Sequence, residues 1–292
     1  MIDVIIPTYN RVVALQKVID SYLNQEQLGK IIIIDDCSTD NTEVWMKEFE
    51  RQTEGRIVYY RTAHKTSLPQ LRNIGVSMTK NPYIFMGEDD VLLPPDHFQI
   101  LLQNMEKYDA DIIAGRRIYL YENESITDAL IRSNQDRGPI IVRTPFEGYF
   151  ERYIDRPQQV PFIHSNSLMK REVLTTIQYD PWYAGNAFRE ESDFYLRATD
   201  AGFLIWITPD TLSYHLKNTS VNKAGGSRKK RLIYEYQVWK NTMHLFLKNR
   251  RIFETKFGVK HIRWFAFRCL CARYTYAIGR RIMALRRIYE KR

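Results

Sequence analysis

The feature of this sequence that most constrains its fold is a set of four short apolar runs at nearly even spacing. The runs are DVIIP at 3–7, KIIIID at 30–35, RIVYY at 56–60 and YIFMG at 83–87. Amphipathic stretches of helical length separate them. Continuous apolar runs that alternate with helices are typical of buried parallel strands joined by helical crossovers. The first half of the chain is therefore predicted to form a Rossmann-like α/β sheet.

Polar residues follow each of these runs, at the points where the predicted strands end. They are Pro7 to Arg11, Asp35 to Asp40, Arg72 with Asn73, and Glu88 to Asp90. Ligands of open α/β sheets bind in the crevice beyond the carboxyl ends of the strands. These residues are therefore expected to line one rim of the sheet and to form a binding site there.

Three adjacent carboxylates, Glu88, Asp89 and Asp90, follow the fourth run. Like charges repel and resist burial, so such a cluster at the end of an apolar strand indicates a cation site. Mg²⁺ and Mn²⁺ prefer oxygen ligands and bind through one or two carboxylates plus substrate phosphates. A solvated acidic turn is the structural alternative. No GxGxxG follows the first strand and no GxxxxGK[ST] is present, which disfavours hydride transfer and P-loop hydrolysis.

Composition narrows the class of protein. With 292 residues, 44% of them hydrophobic, the chain can bury a full core. Its three cysteines form no paired spacing, so we expect no disulfides and a reducing cytosol. The N-terminus lacks the pattern of a secretory signal, and no apolar window is long enough to cross a membrane. The expected location is the cytoplasm.

Positive charge is concentrated at the C-terminal end. The net charge is +9, and residues 228–292 hold 19 Lys or Arg against 3 Asp or Glu. Residues 216–230 are small, polar and glycine-bearing, which is typical of a mobile loop. A domain boundary is predicted near its end.

The basic segment beyond this loop carries an apolar stripe at helical spacing. The stripe comprises Trp264, Phe267, Leu270, Cys271, Tyr274, Ile278, Ile282, Leu285, Ile288 and Tyr289. Most of the arginines in the segment lie outside it. Such a helix either lies in a membrane surface or packs on the main domain, and the pattern favours neither.

Five motifs occur in a fixed order: VIIPTYNR, IIIIDDCSTDNT, LPQLRNIGV, FMGEDDVLLPPD and EESDFYLR. Together they resemble the family 2 nucleotide-sugar glycosyltransferases, which have the GT-A fold. The resemblance covers about residues 1–217. It predicts a GT-A domain at 1–227, made of a nucleotide-binding half (1–115) and an acceptor half (116–227), and a basic helical tail at 228–292. The implied reaction is an inverting, metal-dependent transfer of a sugar from a nucleoside diphosphate to a hydroxyl group.

The resemblance also implies a nucleotide-binding set. Pro7, Tyr9 and Asp36 match the base and ribose pocket, with Asp36 accepting a hydrogen bond from N3 of a pyrimidine. Arg72 matches the position that approaches the base or the diphosphate. Arg11, on the same rim, is included in this set.

The metal site follows from the fourth motif. Glu88 and Asp89 match the Asp-x-Asp-type element, with Asp89 as the direct metal ligand and Glu88 counted with the nucleotide-binding residues. His215 matches a position where relatives carry a histidine near the metal or the diphosphate. Gly87 stands where the common form DxDD has its first aspartate. This difference leaves open which carboxylate binds the ribose and which the metal.

Glu191 matches the general base of the family. Inversion at an anomeric carbon requires a base on the face opposite the leaving diphosphate. Glu190 is the alternative base, and Asp193 is expected to orient the neighbouring backbone or the acceptor. A charged first helical turn is the structural alternative for this cluster, since acidic residues favour helix N-termini.

The expected partners are a nucleoside diphosphate sugar, a glycan or lipid-linked acceptor and, through the tail, the anionic inner face of the cell membrane. Three alternative functions fit the sequence less well. A sugar-1-phosphate nucleotidyltransferase normally has a GxGxR loop after its first strand, and PTYNR has no glycine. A nucleic-acid-binding protein is disfavoured because the acidic rim repels phosphate. A catalytically inactive GT-A scaffold has Gly87 as its only support.

Overall fold

The computed structural model of the protein describes residues 1–217 and 231–289, with side chains within 1–217 and 232–275. The strands in these ranges are β1 (Ile2–Thr8), β2 (Leu28–Asp35), β3 (Ile57–Arg61), β4 (Tyr83–Met86), β5 (Val91–Leu92), β6 (Ile112–Leu120), β7 (Ile141–Val142), β8 (Glu147–Gly148), β9 (Gln158–Gln159), β10 (Leu168–Lys170) and β11 (Ile205–Leu216). The helices are α1 (Val12–Leu23), α2 (Thr42–Gln52), α3 (Leu68–Ser77), α4 (His97–Lys107), α5 (Ile126–Gln135), α6 (Arg171–Thr176), α7 (Glu190–Asp200), α8 (Arg231–Lys248), α9 (Arg250–Phe257) and α10 (Ile262–Tyr289).

A nine-stranded sheet lies at the centre of the described fold. Its order is β3-β2-β1-β4-β10-β6-β11-β5, and β9 pairs with β11. The four predicted strands became β1 to β4 and pair in parallel, whereas β10 runs antiparallel between β4 and β6. The prediction of a mostly parallel α/β sheet flanked by helices is therefore confirmed. Because β1 lies between β2 and β4, the strand order reverses there and a crevice opens beyond the carboxyl ends.

Apolar side chains bury both faces of this sheet. On β2, Ile32 and Ile34 belong to one core cluster, while Ile31 and Ile33 belong to the other. Successive side chains of a strand point to opposite faces. Such a run must be apolar at every position, which is why KIIIID reads as a continuous rather than an alternating pattern.

The C-terminal helices share the core of the main domain. Phe246 of α8, Phe253 of α9 and Phe265 of α10 lie in the same cluster as Ile5 of β1. The ring of Phe146 packs against Phe253, with 4.9 Å between the centroids. One side of each helix in the described part of the basic tail therefore packs on the domain.

The predicted apolar stripe of α10 is divided between two environments. Leu270 is buried, whereas Trp264, Phe267 and Tyr274 are exposed. The stripe positions from Ile278 onward have no described side chains, and residues 218–230 of the predicted loop lie outside the described residues. In the part of the chain that can be assessed, no helix is long and apolar enough to cross a membrane.

Candidate active site

Arg11, just beyond β1, holds two of the three rim carboxylates together. Its Nη1 lies 2.8 Å from Asp89 Oδ1, and its Nη2 lies 2.6 Å from Asp90 Oδ2. Thr8 Oγ1 donates to the other oxygen of Asp89 at 2.8 Å. Burial raises the pKa of Asp89 to about 7, even though Arg11 opposes this shift. Both oxygens of the predicted metal ligand Asp89 are thus engaged by protein groups.

A second set of side chains has the arrangement of a metal site. Ligand atoms of Glu88, Asp90 and His215 all lie within 4.8 Å of one another. His215 arrives there because β11 pairs antiparallel with β5, which places it opposite Val91, next to Asp90. Two carboxylates and one imidazole suit Mn²⁺, and the carboxylates also suit Mg²⁺. The donor set therefore fits a divalent cation, with Asp90 rather than Asp89 beside His215.

Charged neighbours keep this site ionised despite its burial. Burial alone raises the pKa of Asp90, but His215 and Arg11 bring it below its ordinary value. For Glu88, burial is outweighed by Arg117 and His215, so its pKa is also lowered. Both carboxylates are therefore charged and able to bind a cation at neutral pH.

Three residues that the sequence analysis did not single out hold Glu88 in place. Arg117 Nη2 lies 2.8 Å from Glu88 Oε2, and the same nitrogen donates to Ser165 and Asn166. Ser165 also donates to Glu88 Oε1. The available signal was an arginine inside the apolar run of β6, because a buried cation in a strand needs a partner.

Gly87 is required by packing. A Cβ at this position would lie 2.8 Å from Ile6 Cγ1 and 3.1 Å from Tyr22 Cε1. Any side chain here would enter the core between β1 and α1. The departure from DxDD therefore has a steric reason in this chain.

The candidate base lies at the start of α7. Glu190 is buried, whereas the side chain of Glu191 is 31% exposed. Buried Arg72 lies 3.1 Å from Glu190 Oε1 through Nε and 3.2 Å from Glu191 Oε1 through Nη2. Burial raises the pKa of both carboxyl groups, to about 8 for Glu190, while Arg72 opposes the shift. Of the two, only Glu191 is accessible to an acceptor.

The base and the metal-type site share a neighbour. The pKa of Arg117 is raised by the charges of Glu88 and Glu191 against the effect of its own burial. The same guanidinium therefore stabilises both carboxylates. This arrangement brings residues from β6, α7 and the acidic motif into one charged cluster.

Asp193 lies elsewhere. It is fully buried and accepts from Arg197 Nε at 2.8 Å, Lys248 Nζ at 2.9 Å and Asn249 Nδ2 at 2.8 Å. These partners place its carboxylate in the interface between α7 and the C-terminal helices. The structure does not bring Asp193 together with the rim residues.

The predicted base pocket lies beside the end of β1. The Asp36 amide donates to Thr8 O at 2.9 Å, and Asp36 Oδ1 accepts from the Thr66 amide at 2.6 Å. Pro7 is buried in β1. Lys65 Nζ lies 3.3 Å from the centroid of the Tyr9 ring, a contact that the sequence analysis did not predict. Pro7, Tyr9 and Asp36 are thus adjacent, whereas Arg72 contacts the α7 carboxylates.

The chain matches a known protein family. The sequence model of "Glycosyl transferase family 2" matches residues 3–177, more than half of the chain. The match ends before α7 and β11, so the positions of Glu191 and His215 rest on the structure.

Several relatives of known sequence are bacterial glycosyltransferases. The poly(ribitol-phosphate) beta-N-acetylglucosaminyltransferase TarP of Staphylococcus aureus is 26% identical over 82% of this chain and 74% of TarP. Glycosyltransferase GlyG of Streptococcus pneumoniae is 30% identical over 39% of this chain and 38% of GlyG. The chain thus spans well under half the length of GlyG.

The fold recurs in a solved structure, S. aureus TarS residues 1–349 in complex with UDP-GlcNAc. The TM-score is 0.60 at 12% identity, over 84% of this chain and 65% of that one. At this identity the likeness concerns the fold. Taken with the family match over residues 3–177, these findings show that the chain belongs to glycosyl transferase family 2.

Proposed function

We propose that this protein is an inverting, divalent-metal-dependent glycosyltransferase that moves a sugar from a nucleoside diphosphate to a hydroxyl group of a glycan or lipid-linked glycan. The observation that carries the proposal is the Glu88, Asp90 and His215 set, whose ligand atoms lie within 4.8 Å of one another. The support beside it is the partly exposed Glu191, whose charge acts on Arg117 together with that of Glu88. A base and a cation site next to each other are what this displacement requires.

The donor is proposed to bind along the rim. Asp36 accepts a hydrogen bond from N3 of uracil or thymine, and Tyr9 and Pro7 form the wall beside it. When bound at Glu88, Asp90 and His215, Mn²⁺ or Mg²⁺ supplies positive charge for the leaving diphosphate. The UDP-GlcNAc complex of S. aureus TarS supports a uridine donor, since that protein shares the fold.

Glu191 is proposed to act as the general base. It accepts the proton of the acceptor hydroxyl while the new bond from that oxygen to the anomeric carbon forms and the bond to the diphosphate breaks. A carboxylate whose pKa is raised by burial is a better proton acceptor than an ordinary one. Arg72 Nη2 lies 3.2 Å from Glu191 Oε1, and this contact orients the Glu191 carboxylate.

The proposed location is the cytoplasmic face of a membrane, where the protein is held peripherally. The support is the 19 Lys or Arg against 3 Asp or Glu in residues 228–292. Each Lys or Arg near an anionic leaflet contributes about 1 kcal/mol.

The test is a thermal-shift panel of UDP, dTDP, GDP and their sugars, with and without Mn²⁺. We expect one uridine or thymidine nucleotide to raise the melting temperature, and only when metal is present. A ligand that binds the native state and not the unfolded state stabilises the protein. Product analysis by NMR then reports inversion at the anomeric carbon. Absence of stabilisation by every nucleotide, with and without metal, overturns the proposal. Asp128→Asn, an exposed carboxylate on α5, is the matched control for site variants.

A further inference from the structure

Helices α8 and α10 expose an unusual number of large apolar side chains. We call this set the aromatic face. It consists of Leu232, Tyr236 and Trp239 on α8, with Trp264, Phe267 and Tyr274 on α10. The exposed fraction is 50% for Trp239 and 60% for Trp264.

On each helix these residues lie along one side. On α8 they recur at i, i+4 and i+7, and on α10 at i, i+3 and i+10, so each set forms one stripe. Tyr274 Oη donates to Glu235 at 3.0 Å, while Phe246 and Phe265 pack with 5.4 Å between centroids. These two contacts pack α8 and α10 against each other in antiparallel order.

Packing within the chain accounts for only one side of each helix. Val238 and Leu245 of α8, and Phe265 and Cys269 of α10, are buried against the domain. The aromatic face is an additional apolar surface on the solvent side. Contiguous exposed apolar surface with a polar border marks an interaction site.

Charge indicates what covers this surface. Residues 231–275 hold ten Lys or Arg against two Asp or Glu. The two acidic residues are already engaged, Glu235 by Tyr274 and Glu254 by Arg250. Arg263 and Arg268 are exposed, and their helical angles place them on either side of the Trp264 and Phe267 stripe.

We infer that the aromatic face is the surface by which this protein binds an anionic lipid bilayer. The inference rests on the proposed function for the membrane location. What it adds is the surface of the protein that contacts the membrane. Trp and Tyr favour the boundary between headgroups and acyl chains, because one end of each side chain is apolar and the other is polar. The flanking arginines meet anionic headgroups at the same depth.

The test is cosedimentation of the full chain with phosphatidylcholine vesicles that contain or lack phosphatidylglycerol. We expect binding only to the anionic vesicles, weakening as salt rises. The variant Trp264→Ser with Phe267→Ser should lower the partition coefficient about tenfold or more. Val44→Ser with Tyr60→Ser, two exposed apolar residues on α2 and β3, is the matched control and should bind as the wild type does.

Three outcomes overturn the inference: no binding of the wild type to anionic vesicles, equal binding of the aromatic-face variant, or loss of a dimer in that variant without loss of vesicle binding. The last result, read by light scattering, would assign the surface to a second copy of the chain. Mn²⁺-dependent stabilisation by nucleotide is measured in parallel without vesicles. Failure of the lipid contact and failure of the proposed function are thereby distinguished.

Discussion

Lys248, the last residue of α8, donates to Asp193 of α7 at 2.9 Å. The same ammonium group lies 2.7 Å from Asp180 Oδ2, in the loop that leads to α7. The C-terminal helices are thus bonded to the helix that begins with the candidate base. Asp193 is fully buried, so removing the Lys248 ammonium group would take one hydrogen-bond donor from a carboxylate that water does not reach.

Replacing Lys248 by Met should destabilise the protein by about 2–3 kcal/mol, because it removes a cation from a buried carboxylate. The free energy of unfolding, from urea titration followed by circular dichroism, measures the effect. Lys17→Met, an exposed lysine on α1, is the control and should change stability by less than about 0.5 kcal/mol. Equal stability of the two variants contradicts the assigned contact.

The two glutamates of α7 should respond differently to substitution. Glu191→Gln removes the proton acceptor and should lower kcat about 100-fold or more with little change in donor binding. Glu190 is buried against Arg72 and is not accessible to an acceptor, so Glu190→Gln should have the smaller effect on kcat. The measurement is release of UDP from the UDP-sugar that stabilises the protein most. The assignment fails if Glu190→Gln is the more damaging change.

Metal binding should depend more on Asp90 than on Asp89. Asp90→Asn and His215→Ala each remove a ligand of the proposed site, so each should weaken Mn²⁺ affinity in the presence of UDP about tenfold or more. Isothermal titration calorimetry reports this affinity, with Asp128→Asn as the control. If Asp89→Asn abolishes Mn²⁺ binding while Asp90→Asn and His215→Ala do not, the metal ligand is Asp89, as the sequence predicts.

Acid should destabilise the protein through His97. This histidine is fully buried, and burial lowers its pKa to about 3 from an ordinary value of 6.5. As the pH falls from 6.5 towards 3, the unfolded chain takes up the proton and the native state does not, so the free energy of unfolding falls with pH. His97→Gln should flatten this dependence, which urea titrations between pH 7 and about 4 would record. If the free energy of unfolding of His97→Gln falls with pH as steeply as that of the wild type, His97 does not contribute to the acid sensitivity.

The first four strands were predictable because each is marked by an apolar run within its own few residues. Ile31 to Ile34 are apolar at every position, as expected for a strand that buries its side chains on both faces of the sheet. The rim residues at the ends of these strands were predictable for the same reason. Once the strands are parallel, the positions of Thr8, Asp36 and Glu88 at one edge follow from the topology.

The sequence by itself determined the sheet, the carboxylates at its rim and the family. Tertiary structure alone decided which side chains meet across long separations. The pairing of β11 with β5 brought His215 to Asp90, 125 residues apart. Packing of α8 on α7 turned Asp193 towards Lys248, 55 residues away. Periodicity reports which face of an element is buried, but the partner on the other side is set by how the elements pack, which no local pattern encodes.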